Sequence, residues 1–130
     1  MALSSSVAPW GLQMPAGSLQ QWTFTLTSPQ TGGTVIPYPI SGATWEYVAR
    51  ISATDTSAPP LIEVTTTATT AGVITVTATG SLSQVFLAVY PAATSALSGS
   101  YAHSLWMNPG TPSALAVAGG ILQVIPAPQP

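Results

Sequence analysis

Apolar and polar residues alternate along most of the chain, and this alternation predicts a series of short β-strands. In residues 20–27, Trp22, Phe24 and Leu26 alternate with Gln and Thr. A period of two is typical of a strand with one buried face. Further strands are expected at residues 44–52, 61–67, 73–77, 85–90, 100–107 and 114–125. Because Gly, Pro or Asn separates these runs and none has helical periodicity, we predict an all-β, immunoglobulin-like antiparallel sandwich.

Residues 1–19 break this pattern. Pro or Gly occupies positions 9, 11, 15 and 17, yet the segment carries the apolar residues Val7, Trp10, Leu12 and Met14. Apolar side chains on an irregular segment need a surface to cover them. We therefore predict an N-terminal arm at 1–19 that packs either on its own domain or on a neighbouring copy; we favour an interface with a neighbouring copy that buries Trp10. The sandwich domain is expected at 20–126, and an extended tail at 127–130.

Two glycine-containing stretches mark expected changes of chain direction. Gly119 and Gly120 predict either a bulge in the last strand or a two-residue hairpin turn. Residues 91–97 are expected to form a short helical crossing between sheets, followed by Leu97, Gly99 and Tyr101. In immunoglobulin-like sandwiches, a Tyr at this kind of corner bonds its hydroxyl to the backbone just upstream. The simpler alternative is an ordinary hairpin that contains a Tyr.

Charge is nearly absent from the chain. Charged residues make up 3% of it, against about 25% in typical soluble domains. Arg50 is the single basic residue, and the acids are Glu46, Asp55 and Glu63. One cation cannot neutralise a row of phosphates, so nucleic-acid binding and attraction to an anionic membrane are excluded as functions. No apolar run is long enough for a transmembrane helix.

The absence of Cys and Lys and the first nine residues indicate where the protein is made and how its surface behaves. With no Cys, thiolate metal sites and disulfides are excluded. The first nine residues lack the features of a secretion signal, so we expect synthesis in a host cytoplasm. Surfaces with little charge tend to associate, and no Lys guards the strand edges. We therefore expect neighbouring subunits to cover much of the surface; the alternative is a surface kept soluble by Ser and Thr alone.

Candidate catalytic residues are few. His103, the one His, is either a general base or metal ligand, or a neutral, hydrogen-bonded strand residue, which we favour. No carboxylate has a ligand-like spacing to it, and no Gly-x-Ser-x-Gly motif accompanies it. Glu46 and Glu63 would have to face each other across a cleft for glycoside hydrolysis, which no sequence feature indicates. We expect no enzyme, no cofactor and no metal.

Several motifs occur in an order that resembles a known family. Gly17 precedes Trp22-Thr-Phe24, a Pro-containing linker ends at Gly42, Gly72 begins an alternating strand, a crossing ends at Leu97-Ser-Gly-Ser-Tyr101, and Gly120 precedes a last apolar run. This order, over residues 17–126, resembles the immunoglobulin-like sandwich at the N-terminus of upper baseplate proteins of tailed bacteriophages. The near-absence of charge departs from that family.

The resemblance implies a structural component of a virion, either an accessory capsid or decoration protein or a tail or baseplate protein, whose partners are copies of itself and other virion proteins. The alternative is a carbohydrate-binding or adhesin-like sandwich that binds a surface glycan. For that function, a stacking surface would be formed by Trp10, Trp22, Trp45, Trp106, Tyr38, Tyr47 and Tyr90. Core and interface packing explains the same aromatic residues, and we favour it.

Overall fold

The structure, a computed structural model, describes residues 8–29, 35–37, 40–54, 59–79 and 82–126, and this part of the chain is all-β. Its elements are β1 (Ala8–Pro9), β2 (Leu12–Pro15), β3 (Gln20–Thr25), β4 (Thr27–Pro29), β5 (Val35–Pro37), β6 (Trp45–Arg50), β7 (Ile62–Thr65), β8 (Gly72–Thr79), β9 (Leu82–Val89), α1 (Pro91–Thr94), β10 (Gly99–Met107) and β11 (Leu115–Ile125). Within these ranges, no helix has the length and apolar character needed to cross a bilayer.

Two sheets share one hydrophobic core. The larger sheet has the order β1-β11-β10-β6-β7, and β2 pairs with the same β11 strand further along. The smaller sheet has the order β3-β9-β8, while β4 and β5 form a separate hairpin. Both sheets supply side chains to the core: Tyr47, Leu105 and Leu122 come from the larger, and Phe24 and Leu87 from the smaller.

The alternation in sequence sets which side of each strand is buried. On β6, Trp45, Tyr47 and Ala49 are buried, whereas Glu46 and the other residues between them are only half-buried on the outer face. The buried residues lose apolar surface to the core, which is worth about 25 cal/mol for each Å² removed from water. The predicted strand periodicity is therefore confirmed for this central strand of the larger sheet.

The N-terminal segment is not the irregular arm predicted from the sequence. Residues of β1 and β2 pair in parallel with β11, as in the pair Leu12 and Leu122. Met14 is completely buried in the chain's own core. Pro9 and Pro15 lie at the ends of β1 and β2, where a missing N–H disturbs the ladder least. That prediction was therefore wrong for residues 8–15; Val7 and the tail at 127–130 lie outside the described residues.

Gly119 and Gly120 do not form a turn, because β11 runs through both of them. The irregularity in this strand comes earlier. Leu105 on β10 faces Ala118 and Trp106 faces Ala116, so Val117 is the extra residue of a bulge. The sequence placed the irregularity close to its true position, but the two glycines serve a different purpose that is described below.

The crossing at residues 91–97 has the hydrogen bond expected of a tyrosine corner. The Tyr101 hydroxyl donates to the Ser98 carbonyl oxygen at 2.7 Å and accepts from the Ser98 N–H at 3.2 Å. Gly99 has φ of +103°, which a residue with a side chain rarely adopts. Leu97 packs against the core. The Tyr101 side chain is half-buried. This corner carries the chain from β9 in the smaller sheet to β10 in the larger.

We predict that Tyr101→Phe lowers the free energy of unfolding by about 1 kcal/mol, since both polar groups of Ser98 lose this partner. Urea denaturation followed by fluorescence measures the change. Ser100→Ala, at an exposed neighbouring position, is the control and should change stability little. Equal stability of Tyr101→Phe and the original protein would show that the corner bond does not stabilise the crossing.

Candidate functional site

A polar network lies in the core between the larger sheet and the N-terminal segment. His103 on β10 is 3% exposed. Its Nε2 lies 2.7 Å from the Trp10 carbonyl oxygen, and its Nδ1 lies 2.9 Å from the Tyr47 hydroxyl. A carbonyl oxygen only accepts, so Nε2 carries the proton and donates to Trp10. In the neutral ring Nδ1 must then accept, so the Tyr47 hydroxyl donates to it.

Aromatic packing around this network connects the two sheets. The Trp10 ring stacks on the His103 ring, with centroids 4.2 Å apart and planes 26° apart. The rings of Trp22 and Phe24, both on β3 of the smaller sheet, lie nearly perpendicular to the Trp10 ring. Their centroids are 5.6 Å and 5.2 Å from the centroid of Trp10. Trp10 is therefore half-buried by its own chain. The prediction that mainly a neighbouring chain buries it was wrong, because β1 and β2 direct the ring into this core.

Gly120 makes room for the Trp10 backbone. A Cβ at position 120 would lie 2.5 Å from the Trp10 carbonyl oxygen, a distance that real Cβ atoms do not show. The Trp10 N–H donates to the Gly119 carbonyl oxygen at 3.0 Å, which fixes the segment at that point. His103 faces Gly120 across the β10–β11 pair. The glycine therefore allows the close approach on which the His103–Trp10 hydrogen bond depends.

Burial controls the ionisation of both side chains in the network. It lowers the pKa of His103, and the hydrogen bond to the Trp10 backbone opposes that change only in part. It raises the pKa of Tyr47 well above its usual value. Both imidazole nitrogens are occupied by hydrogen bonds, so neither is available to a metal ion or a substrate. Among the described residues, no cluster of three or more His, Asp or Glu could hold a metal.

A second feature is a pocket of about 770 Å³ on the outer face of the larger sheet. The pairing of β6, β10 and β11 arranges its lining in three rows. One row contains Glu46, Trp106 and Ala116, the middle row contains Val48, Ser104 and Gly119, and the third contains Arg50, Ala102 and Ile121. The β10–β11 connection borders the pocket with Pro109, Gly110 and Ala114, and Ala53 lines it as well.

The acids at one side of this pocket are paired. Glu63 on β7 faces Val48, which places it diagonally beside Glu46 on the same face. Burial raises the pKa of Glu46, the hydrogen bond with Glu63 and the charge of Glu63 raise it further, and the charge of Arg50 lowers it. A hydrogen bond between two carboxyl groups needs one proton, and the raised pKa of Glu46 is consistent with that hydrogen bond. Glycoside hydrolysis requires two carboxyl groups on either side of the bond that is cleaved. Because Glu46 and Glu63 contact each other, no glycosidic bond fits between them.

The structure separates the aromatic residues that the sequence grouped as one stacking surface. Trp45 is buried in the core, and Trp10 and Trp22 belong to the internal cluster. Trp106 alone of the four Trp residues lines the described pocket. Asp55 and Tyr38 lie outside the described residues. Sequence reasoning missed the small residues of the pocket floor, although Ala102 and Ser104 at outward positions of a strand are a signal that could have found them.

Comparison of the sequence with models of protein families and with curated protein sequences finds no match to either. The chemistry of the two features therefore carries the functional argument. The internal network has both nitrogens of its one basic group bonded, whereas Trp106, Glu46 and Arg50 line the outer pocket.

We predict that the free energy of unfolding increases with pH on the acid side of about 6.5. The pKa of His103 is lower in the folded than in the unfolded chain, so the unfolded chain binds more protons and stability is lost as the pH falls below 6.5. The slope reaches up to about 1.4 kcal/mol per pH unit. Urea unfolding between pH 5 and 8 measures it.

The control for this prediction is His103→Gln, whose amide retains one donor and one acceptor but does not titrate. The raised pKa of Glu46 has the opposite effect, because the stability that it contributes is lost as the pH rises above 4.5. This effect is present both in the original protein and in His103→Gln. The difference between the two pH profiles therefore isolates His103. Parallel profiles would show that His103 has the same pKa folded and unfolded.

We predict that Gly120→Ala displaces the Trp10 backbone and lowers the free energy of unfolding by about 1–3 kcal/mol, as overpacking typically does. Gly11→Ala is the matched control, since a Cβ there meets no atom within 4 Å. Hydrogen exchange should show faster exchange of the Trp10 amide in Gly120→Ala only. Unchanged exchange in Gly120→Ala would contradict the role given to this glycine.

Proposed function

We propose that this protein is a non-enzymatic structural component of a bacteriophage virion and acts through contacts between subunits. The distribution of charge carries the proposal. The charged side chains of the described residues are Glu46, Arg50 and Glu63, all on β6 and β7 of the larger sheet. The outward positions of the smaller sheet hold neutral residues, mostly Thr and Gln, among them Gln21, Thr23, Thr75 and Thr77.

The edge of the smaller sheet supports a contact between strands. Among the described strands, β3 pairs only with β9, so its other side offers backbone donors and acceptors. Natural edge strands are commonly guarded by Lys, Pro or a bulge, and the sequence of β3 contains no Lys and no Pro. Leu19, just before β3, is 49% exposed. An edge of this kind fits pairing with a strand of another subunit.

We propose further that the two sheets form an immunoglobulin-like sandwich. The strands β3 and β6–β11 can be given the immunoglobulin letters B, C, C′, D, E, F and G in chain order. With these letters, the smaller sheet β3-β9-β8 has the order B-E-D, and the part β11-β10-β6-β7 of the larger sheet has the order G-F-C-C′. The immunoglobulin fold places its strands in the same sheets. Tyr101 then lies near the start of strand F, at the E–F corner. His103, two residues later, occupies the position of the second Cys in antibody domains.

The phage assignment depends on the resemblance to the upper baseplate domains, together with these strand orders. If the proposal is correct, mass spectrometry of particles purified from the source will detect this chain at a fixed ratio to the major virion proteins. Absence of the chain from such particles would refute the virion location.

We predict that the purified protein self-associates and that Gln21→Lys with Thr23→Lys weakens the association at least about tenfold, because Lys guards a strand edge. Sedimentation equilibrium over a range of concentrations measures the dissociation constant. Thr66→Lys/Thr67→Lys, at exposed positions after β7, adds the same two charges away from this edge and should leave association unchanged. A monomer at all concentrations would contradict subunit contact, and equal weakening by both double variants would contradict the β3 edge.

A further inference from the structure

We propose that the pocket on the outer face of the larger sheet is a binding site for a neutral saccharide. This site is on β6, β10 and β11, whereas the proposed subunit contact is on β3 of the other sheet. The two proposals are therefore independent, and either can fail without the other. The site also differs from the aromatic stacking surface considered from the sequence, since Trp106 is its one Trp.

Trp106 provides a ring surface of fixed orientation. Its Nε1–H donates to the Ser104 hydroxyl oxygen at 2.8 Å, two residues earlier on the same face of β10. This hydrogen bond ties the indole to a neighbouring side chain on the same face of the strand. Trp106 is half-buried and borders the pocket. The electron-rich face of such a ring attracts the C–H groups on the apolar face of a pyranose.

A carboxyl group lies beside this ring. Glu46 is directly opposite Trp106 in the β6–β10 register, which places the two Cβ atoms about 4.5–5.5 Å apart. The hydrogen bond to Glu63 restrains the Glu46 side chain. A carboxyl group has two oxygens that accept hydrogen bonds from adjacent hydroxyls, and in its protonated form it also donates. A sugar stacked on Trp106 would present its hydroxyls to this group.

The floor of the pocket gives such a ligand space. Ser104 and Gly119 form the row between Trp106 and Ile121, Ala116 is opposite Trp106, Ala102 is opposite Ile121, and all four of these residues are small. Pro109 and Gly110 border the pocket. Its volume of about 770 Å³ falls in the range of roughly 300–1,000 Å³ that is usual for small-molecule sites. The floor provides apolar contact, and the polar groups Glu46, Arg50 and Ser104 provide orientation.

Charge determines the class of saccharide. Glu46 and Glu63 place two acidic side chains next to each other on this face, and Glu46 is directly opposite Trp106. Arg50 is two rows away from Trp106 in the strand pairing, and its charge also acts on Glu46, so two acids against one base leave this face with a formal excess of one negative charge. That charge repels sialic acids, uronic acids and sulfated sugars at the stacking position. A neutral hexose or a short neutral oligosaccharide is therefore the ligand that fits this pocket.

Saturation-transfer difference NMR tests the proposal with the full chain and a panel of glucose, galactose, mannose, N-acetylglucosamine and their β-linked disaccharides. We expect transfer to the ring protons of at least one neutral sugar. Trp106→Ala should weaken its binding at least about tenfold, and Trp106→Tyr should retain most of it. Phe86→Ala is the matched control, since it removes an aromatic residue from the outer face of the opposite sheet.

A second pair of experiments tests the carboxyl group. Glu46→Gln retains hydrogen bonding to hydroxyls and should keep neutral-sugar binding, while Glu46→Leu should lose it. Heteronuclear NMR spectra establish that each variant is folded. Transfer from no neutral sugar to the original protein, binding unaffected by Trp106→Ala, or equal losses in Trp106→Ala and Phe86→Ala would each overturn the site. Stronger binding of sialic acid or of a plain aromatic compound than of any neutral sugar would overturn the ligand class.

Discussion

The contact of His103 with Trp10 is the interaction on which the arrangement of this protein depends. One imidazole ring bonds to Tyr47 on β6 and to the backbone of the N-terminal segment, and it also stacks on the indole of Trp10. That indole in turn meets Trp22 and Phe24 of the other sheet. The contact exists only because Gly120 has no side chain. Three strands and the N-terminal segment therefore meet at one neutral, fully hydrogen-bonded group.

Scarcity of charge makes the location of each charged group informative. The core has no ion pair at its polar network and uses a neutral His–Tyr–carbonyl arrangement, which avoids the cost of burying a charge. The described charges instead lie on one outer face, beside the pocket. The smaller sheet is left with a neutral face and an unguarded edge. One molecule thus presents two surfaces of different chemistry, which supports separate roles for the two sheets.

The N-terminal segment shows how a sound physical argument can lead to the wrong partner. Apolar side chains at Trp10, Leu12 and Met14 do need a surface, as argued from the sequence. That surface is β11 of the same chain, where Leu12 faces Leu122 and Met14 faces Val124. The segment satisfies backbone groups along one side of β11 and covers an edge that would otherwise be open. Parallel pairing joins residues about 110 positions apart, so no local pattern reveals it.

Residue alternation by itself determined the all-β class, most of the strands and the buried side of β6, because the period of two is a local property of an extended chain. The corner at Tyr101 was also predictable, since its hydrogen bond reaches only three residues back. Only the tertiary structure decided what His103 contacts, why Gly120 is a glycine, and that Glu46, Trp106 and Ala116 form one row of a pocket. Each of these depends on which strands lie side by side and in which register, and long-range pairing is set by the packing of the whole core.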